Sequence, residues 1–89
     1  MLFRGTIDLL EHDEEDVTVY ADKKPITQTE FFAAGQNGIR PATMFLVRTK
    51  EYGGQKRIKC DDNVYSIYRT YDRPDGVTEL YCEVRIGGH

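Results

Sequence analysis

In Val77-Thr78-Glu79-Leu80-Tyr81-Cys82-Glu83-Val84-Arg85-Ile86, Leu80, Cys82, Val84 and Ile86 alternate with Glu79, Tyr81, Glu83 and Arg85. Successive side chains of a strand point to opposite faces, so this period of two predicts a β-strand with one face on a core. The other face is polar and carries an aromatic, so it meets water or a partner. Just upstream, Arg73-Pro74-Asp75-Gly76 is a turn: Pro fixes φ, Asp can bond back to the backbone, and Gly accepts positive φ. It predicts a hairpin with Asn63 to Tyr71. In that strand Tyr65, Ile67, Arg69 and Tyr71 share one face while Val64, Ser66, Tyr68 and Thr70 share the other. Both faces carry aromatics and are expected to be covered in the functional state.

The same pattern extends toward the N-terminus. Asp61-Asp62-Asn63 supplies a tight connection, and Gln55 to Cys60 reads as a strand with Ile58 and Cys60 on one face and Arg57 and Lys59 on the other. Adjacent glycines in Tyr52-Gly53-Gly54 suit a hairpin tip, and Met44 to Lys50 is the strand entering it. A four-strand meander is therefore expected over 43 to 86. Phe3 to Leu10, with Phe3, Ile7 and Leu9 at period two, and Val17 to Ala21, with Val17, Val19 and Ala21, add another pair around the acidic tip His12-Asp13-Glu14-Glu15-Asp16. So few residues must curl a sheet on itself to protect its edges and enclose a core. The expected fold is mainly β: a small six-stranded antiparallel β-barrel with one short helix or irregular insertion at about 25–41.

That insertion breaks the alternation. Thr27-Gln28-Thr29-Glu30 fits the S/T-x-x-E capping box, in which the Thr hydroxyl and the Glu carboxylate satisfy each other's backbone N–H groups. Gly35 would then be the left-handed terminator of one to two helical turns, followed by a loop stopped by Gly38 and Pro41. Phe31 and Phe32 either plug the barrel end or face a partner; composition alone decides neither.

Eighty-nine residues suit one domain, 1–89, able to bury roughly 60–65% of its unfolded surface. Hydrophobic residues are 39% and charged residues 30%, a globular balance. No apolar run reaches the roughly 20 residues that cross a bilayer, and Arg4 and Asp8 interrupt the apolar stretch that a signal peptide needs. A soluble chain that is not exported is expected. Cys60 and Cys82 are too few for a disulfide framework and lack zinc spacing, so both read as buried free thiols. The net charge of −3 is uneven, since residues 1–36 hold eight acids against three bases and residues 37–89 hold nine bases against seven acids. Neither half has the basic face of a nucleic-acid footprint.

Catalytic constellations are missing from the pattern. The histidines are His12, in the acidic tip, and His89, at the C-terminus, which leaves nucleophilic catalysis without a placed base. Asp13 to Asp16 lack the alternating ligands of a calcium loop, and Gly53-Gly54 is a turn, not a phosphate cradle. No enzyme, cofactor or metal is expected. What remains is interaction: Phe31, Phe32, Tyr65, Tyr68, Tyr71 and Tyr81 exceed what one face of a thin barrel buries, and exposed aromatics mark interfaces.

Thr29-Glu30-Phe31-Phe32-Ala33-Ala34-Gly35-Gln36-Asn37-Gly38-Ile39-Arg40-Pro41 resembles the S-E-F-Y-x-A-G-x-x-G-[LI]-[KR]-P stretch of phage head-tail joining proteins, also called head closure or stopper proteins. The resemblance continues through Val47-Arg48, Glu51-Tyr52-Gly53-Gly54-Gln55, Asn63 to Tyr71 and Thr78 to Glu83, covering roughly residues 20–84. Phe32 stands where the family usually has Tyr, and the first hairpin, Leu10 to Val17, is shorter than typical. The resemblance implies a small β-barrel that assembles as a homo-oligomeric ring in the virion neck, after host-cytoplasmic assembly of the head. The ring lies beneath portal and adaptor proteins, retains packaged double-stranded DNA in its lumen without reading its sequence, and docks tail-completion or tail-tube proteins. An acidic protomer suits such a lumen, since an acidic wall repels phosphate. On this reading Glu30, Phe31, Phe32, Gly35, Gly38, Arg40 and Pro41 form an assembly interface, with Glu30 and Arg40 as partners in charge-assisted bonds. Glu51, Tyr52, Gly53 and Gly54, with Asp13, Glu14 and Glu15, are candidate gating loops. Two alternatives stand beside it: a tail-completion protein of the same neck, and a single-stranded nucleic-acid-binding barrel in which Tyr65, Tyr68, Tyr71 or Tyr81 stack bases beside Arg57, Lys59 and Arg69.

Overall fold

In the computed structural model, which describes residues 3–11 and 14–84, six antiparallel strands close into a barrel. They are β1 (Gly5–Leu10), β2 (Val17–Lys24), β3 (Pro41–Arg48), β4 (Arg57–Cys60), β5 (Asn63–Asp72) and β6 (Val77–Val84), with one helix, α1 (Gln28–Gly35), between β2 and β3. His12, Asp13 and the end of the chain from Arg85 to His89 lie outside the described residues, as does the expected continuation of the last strand to Ile86.

The expected meander is replaced by a crossover. Strand β3 pairs with β6, and β4 closes the barrel against β1, giving the order β1-β2-β3-β6-β5-β4. Gly53 and Gly54 therefore do not tip a hairpin between neighbouring strands. The chain after β3 makes a 3-10 turn, Thr49–Glu51, and then crosses to β4. Tyr52 directs the crossing: it packs against the core, and its hydroxyl donates to the Gln55 carbonyl at 2.6 Å. The apolar period of β6 is what recruits β3. Phe45 pairs with Leu80 and Thr43 with Cys82, so alternating faces from two strands meet in one layer.

The interior is filled by Ile7, Leu9, Val19, Ala21, Phe45, Val47, Ile58, Tyr65, Leu80 and Cys82. Phe45 and Tyr65 meet edge to face, with centroids 5.7 Å apart. Burying a side chain such as Phe45 or Leu80 stabilises by about 1.5–3 kcal/mol, and a domain this thin needs each of them. Expected faces fail at the strand ends: Val17 and Val84 reach the rim and are exposed. Phe3, expected beside Ile7 and Leu9, leaves β1 before the strand begins and joins Leu46, Val77 and Met44 in a second apolar cluster. Leu46 alternates with the interior residues Phe45 and Val47, and Arg48 stands opposite Val77, so this cluster lies on the outer wall. The thiols are free. Burial pushes Cys82 up to about 12, whereas Cys60 is only partly buried, because its strand ends there.

Turns follow their chemistry. Gly76 takes φ 84°, and the Asp75 carboxylate accepts from the Val77 N–H at 3.1 Å. The two-residue β4–β5 turn is less comfortable, since Asp61 and Asp62 sit at φ 51° and 69°. A turn with both central residues left-handed favours Asn-Gly or Asp-Gly. Asp62→Gly is accordingly expected to stabilise the barrel by about 0.5–1 kcal/mol; a chemical-denaturation midpoint that stays put or falls would contradict this.

Candidate functional site

Eight residues are too few for a helix to stand alone in water, so α1 owes its existence to its cap and its docking. The Thr27 hydroxyl accepts from the Glu30 N–H at 3.2 Å, forming half of the expected capping box. The other half is absent because the Glu30 side chain turns to the barrel. Its carboxylate accepts from the Tyr68 hydroxyl at 2.7 Å and from Arg69 Nη2 at 2.5 Å. Glu30 and Ala34, one helical turn apart, share the docked face, and Ala34 is the buried residue of the helix. Together with Ala33, Asn37 and Ile39 they line a cleft of about 320 Å³ over Tyr68 and Arg69.

A bulge in β5 makes this docking possible. Ile67 pairs with Cys82 but Arg69 pairs with Tyr81, so Tyr68 is an extra residue and the strand's faces exchange beyond it. The expected grouping of Tyr65 and Ile67 with Arg69 and Tyr71 therefore fails: Tyr65 is interior, while Arg69 follows Tyr81 to the outer wall. Arg69 Cζ lies 3.9 Å from the Tyr81 ring centroid, a cation–π stack. The Tyr81 hydroxyl donates to Glu79 at 2.5 Å, and Arg73 Nε donates to the same carboxylate at 2.7 Å. One polar chain thus runs from the helix across β5 and β6 to the β5–β6 turn. Burial acts to raise the Glu30 carboxyl, but hydrogen bonds from Arg69 and Tyr68 outweigh it and hold the pKa below the ordinary 4.5. Glu79 behaves alike: burial is opposed by Tyr81 and Arg73, and its pKa is also lowered.

With its docked face committed, the helix points its phenylalanines away. Phe31 is 49% and Phe32 61% exposed, and their rings meet edge to face at 6.2 Å. They do not plug the barrel. Arg40, expected like Glu30 to make charge-assisted bonds at the interface, is exposed, and the Glu30 carboxylate is held within the protomer by Arg69. Gly35 is helical, and the left-handed residue is Gly38, at φ 77°. The Ile39 N–H reaches back to the Ala34 carbonyl at 3.1 Å, tucking Ile39 under the helix before Pro41 opens β3.

The candidate gating loops lie at the other end of the barrel, where β1 and β3 finish. Glu14 and Glu15 are exposed, and Glu51 pairs with Arg48 at 3.7 Å. The Gln55 side chain joins both loops, since its amide donates to the Glu11 carboxylate and its oxygen accepts from the Gly53 N–H at 2.9 Å. Sequence reasoning missed this link and the Tyr68–Arg69 clamp, because neither a bulge nor a contact across 44 residues leaves a local signal. Of the tyrosines named for base stacking, Tyr65 lies in the core and Tyr68 and Tyr81 are engaged in the polar chain, while Tyr71 is exposed.

Because Glu30 and Glu79 are depressed in the folded state, their contribution to stability is complete above the unfolded carboxyl pKa of 4.5 and is lost as pH falls through the lower folded values. Helix protection should be flat between neutrality and pH 5 and collapse further down; in Glu30→Gln the Glu30 part of that acid step should vanish. Arg69→Ala should speed amide exchange over 31–38 by about five- to tenfold while leaving Leu80 and Cys82 unchanged. Uniform acceleration across the barrel would instead mean that Arg69 supports the whole fold.

No curated protein and no solved structure matches the chain. The family model described as phage head completion protein matches residues 9–87, a span that takes in every strand but the start of β1 and includes the clamped helix. The chain belongs to the phage head completion protein family, whose role is structural, in the virion head.

Proposed function

We propose that the protein closes the filled head and connects it to the tail. Copies form a ring in the neck beneath the portal and adaptor, retain the packaged DNA, and give the tail its docking surface. The observation that carries this reading is the pair Phe31 and Phe32, exposed at 49% and 61% on a helix fastened to a closed barrel. Two adjacent phenylalanines held in water disfavour a solitary protomer, and a partner surface that covers them removes the penalty. Glu30 supports the interface indirectly by fixing the helix, Gly38 and Pro41 set its exit, and Arg40 lies exposed beside it as a rim charge.

The opposite end suits passage of DNA. Glu14, Glu15 and Asp16 are exposed there, and these carboxylates repel phosphate, while Arg48, Lys50, Lys56 and Arg57 stand at the same end. The loop from Glu51 to Gln55 and the neighbouring Glu11 act together at a gate, since Gln55 bonds to both Glu11 and Gly53.

Phe31→Ala combined with Phe32→Ala should give a folded monomer that leaves heads incomplete. Heads assembled with that variant are expected to lose DNA and fail to join tails; normal DNA retention and tail joining would refute the assignment. Gln55→Ala should uncouple the two loops and raise DNA leakage while tails still attach. Leakage at the wild-type level would show that these loops do not gate.

A further inference from the structure

We propose that Asn37-Gly38 is a site of spontaneous self-modification: the Asn37 amide is hydrolysed through a cyclic imide when α1 lifts from the barrel, and the product no longer fastens the helix. The inference rests on how the helix ends and not on the ring reading. Two bonds close α1, from the Ile39 N–H to the Ala34 carbonyl at 3.1 Å and from the Gly38 N–H to the Gly35 carbonyl at 3.0 Å. This is a Schellman closure, and its left-handed position falls on Gly38 at φ 77°. That position selects glycine, so the residue after Asn37 has no side chain.

The chemistry follows from this pairing. The Gly38 amide nitrogen, once deprotonated, attacks the side-chain carbonyl carbon of Asn37; a C–N bond closes a five-membered imide and ammonia leaves. Water then opens either imide carbonyl and gives aspartate or isoaspartate at position 37. One water enters for each ammonia released, and no oxidant or cofactor is needed. A side chain on the attacking residue would hinder ring closure, whereas nothing stands within 4 Å of where a Cβ on Gly38 would lie. Asn37 is exposed, so water reaches it. Asn63, the other asparagine, precedes the β-branched Val64, and both are held in the β4–β5 ladder.

In the docked helix the reaction is held back, because the attacking nitrogen is committed to the Gly35 carbonyl. Freeing it takes local opening, and the bonds from Tyr68 and Arg69 to Glu30 set how often that happens. Asn37 lines the same cleft as Glu30 and Arg69. A carboxylate in its place adds negative charge at the C-terminal end of a helix whose last turn has no base, where the helix dipole opposes it. Arg69, the cation among the lining residues, is already paired with Glu30. Isoaspartate does more. It routes the main chain through the side-chain carbon and lengthens it by one atom ahead of Ile39, so the Ile39 N–H loses its register with the Ala34 carbonyl. Release permits the modification, and the modification favours release.

The test ages the folded protein in mildly alkaline buffer beside a denatured sample and the Arg69→Ala variant, and follows each asparagine by peptide mapping, with isoaspartate detected by enzymatic methylation. Conversion is expected at Asn37 ahead of Asn63 and more slowly in the folded than in the denatured chain. In Arg69→Ala it should run about five- to tenfold faster, matching that variant's amide exchange over 31–38. The isolated isoaspartate form should exchange those amides faster than fresh protein while Leu80 and Cys82 stay protected. Asn37→Gln, whose longer side chain closes the ring poorly, should stay intact and keep the exchange pattern of fresh protein. An Asn37 that survives as long in Arg69→Ala as in the parent, one that reacts as fast folded as denatured, or an isoaspartate form with an unchanged helix would overturn the proposal.

Discussion

The Glu30 carboxylate decides what this barrel shows to its surroundings. It is held between the Tyr68 hydroxyl and the Arg69 guanidinium, and a carboxylate taken from water without such partners would be strongly penalised. The helix that carries it has little else: one cap and one buried residue, Ala34. An eight-residue helix has no stability of its own, so the polar contacts that dock it also form it. Because Glu30 and Ala34 claim the inner face, Phe31 and Phe32 have nowhere to point but outward. Docking and presentation are therefore one event.

The clamp depends in turn on the barrel's topology. Tyr68 and Arg69 reach the outer wall together because the bulge inserts one residue into β5, and β5 lies near the helix because β6 separates it from β3. In a simple meander β4 would stand between β3 and β5, while the β5–β6 pairing that carries Arg69, Tyr81 and Glu79 would be unchanged. The crossover enforced by Tyr52 thus shapes both ends of the molecule. At one end it brings Gln55 to Glu11; at the other it leaves β6 beside the strand that follows the helix.

The six strands, the helix position and the hairpin turns were legible because each rests on local chemistry: period two in Leu80 and Cys82, Pro74-Asp75-Gly76, Thr27 before Glu30. Strand order was not legible, since Gly53-Gly54 is equally good chemistry for a hairpin and for a crossing loop. The partner of Glu30 was hidden for a related reason. Arg69 is 39 residues away in sequence, and only the closed barrel makes it the neighbour. The faces of β5 were misread past Tyr68 because a bulge changes the count without changing the composition. Phe31 and Phe32 stood out as candidates, but their exposure depended on which helical face the clamp would claim.

Rigid presentation bears directly on how a weak contact can suffice in the proposed ring. A flexible aromatic segment would spend much of its binding energy on ordering itself, whereas a helix already fastened by Glu30 loses little freedom when covered. Pairwise weakness is then an advantage. Copies that bound each other tightly in solution would close before a filled head offered a site, while copies that bind weakly stay separate until a template holds them side by side. Once held, each copy makes two contacts, and the closing contact of a ring is intramolecular, so its effective concentration replaces affinity. In the proposed ring, a small aromatic pair on a helix fastened by Glu30 would meet both demands.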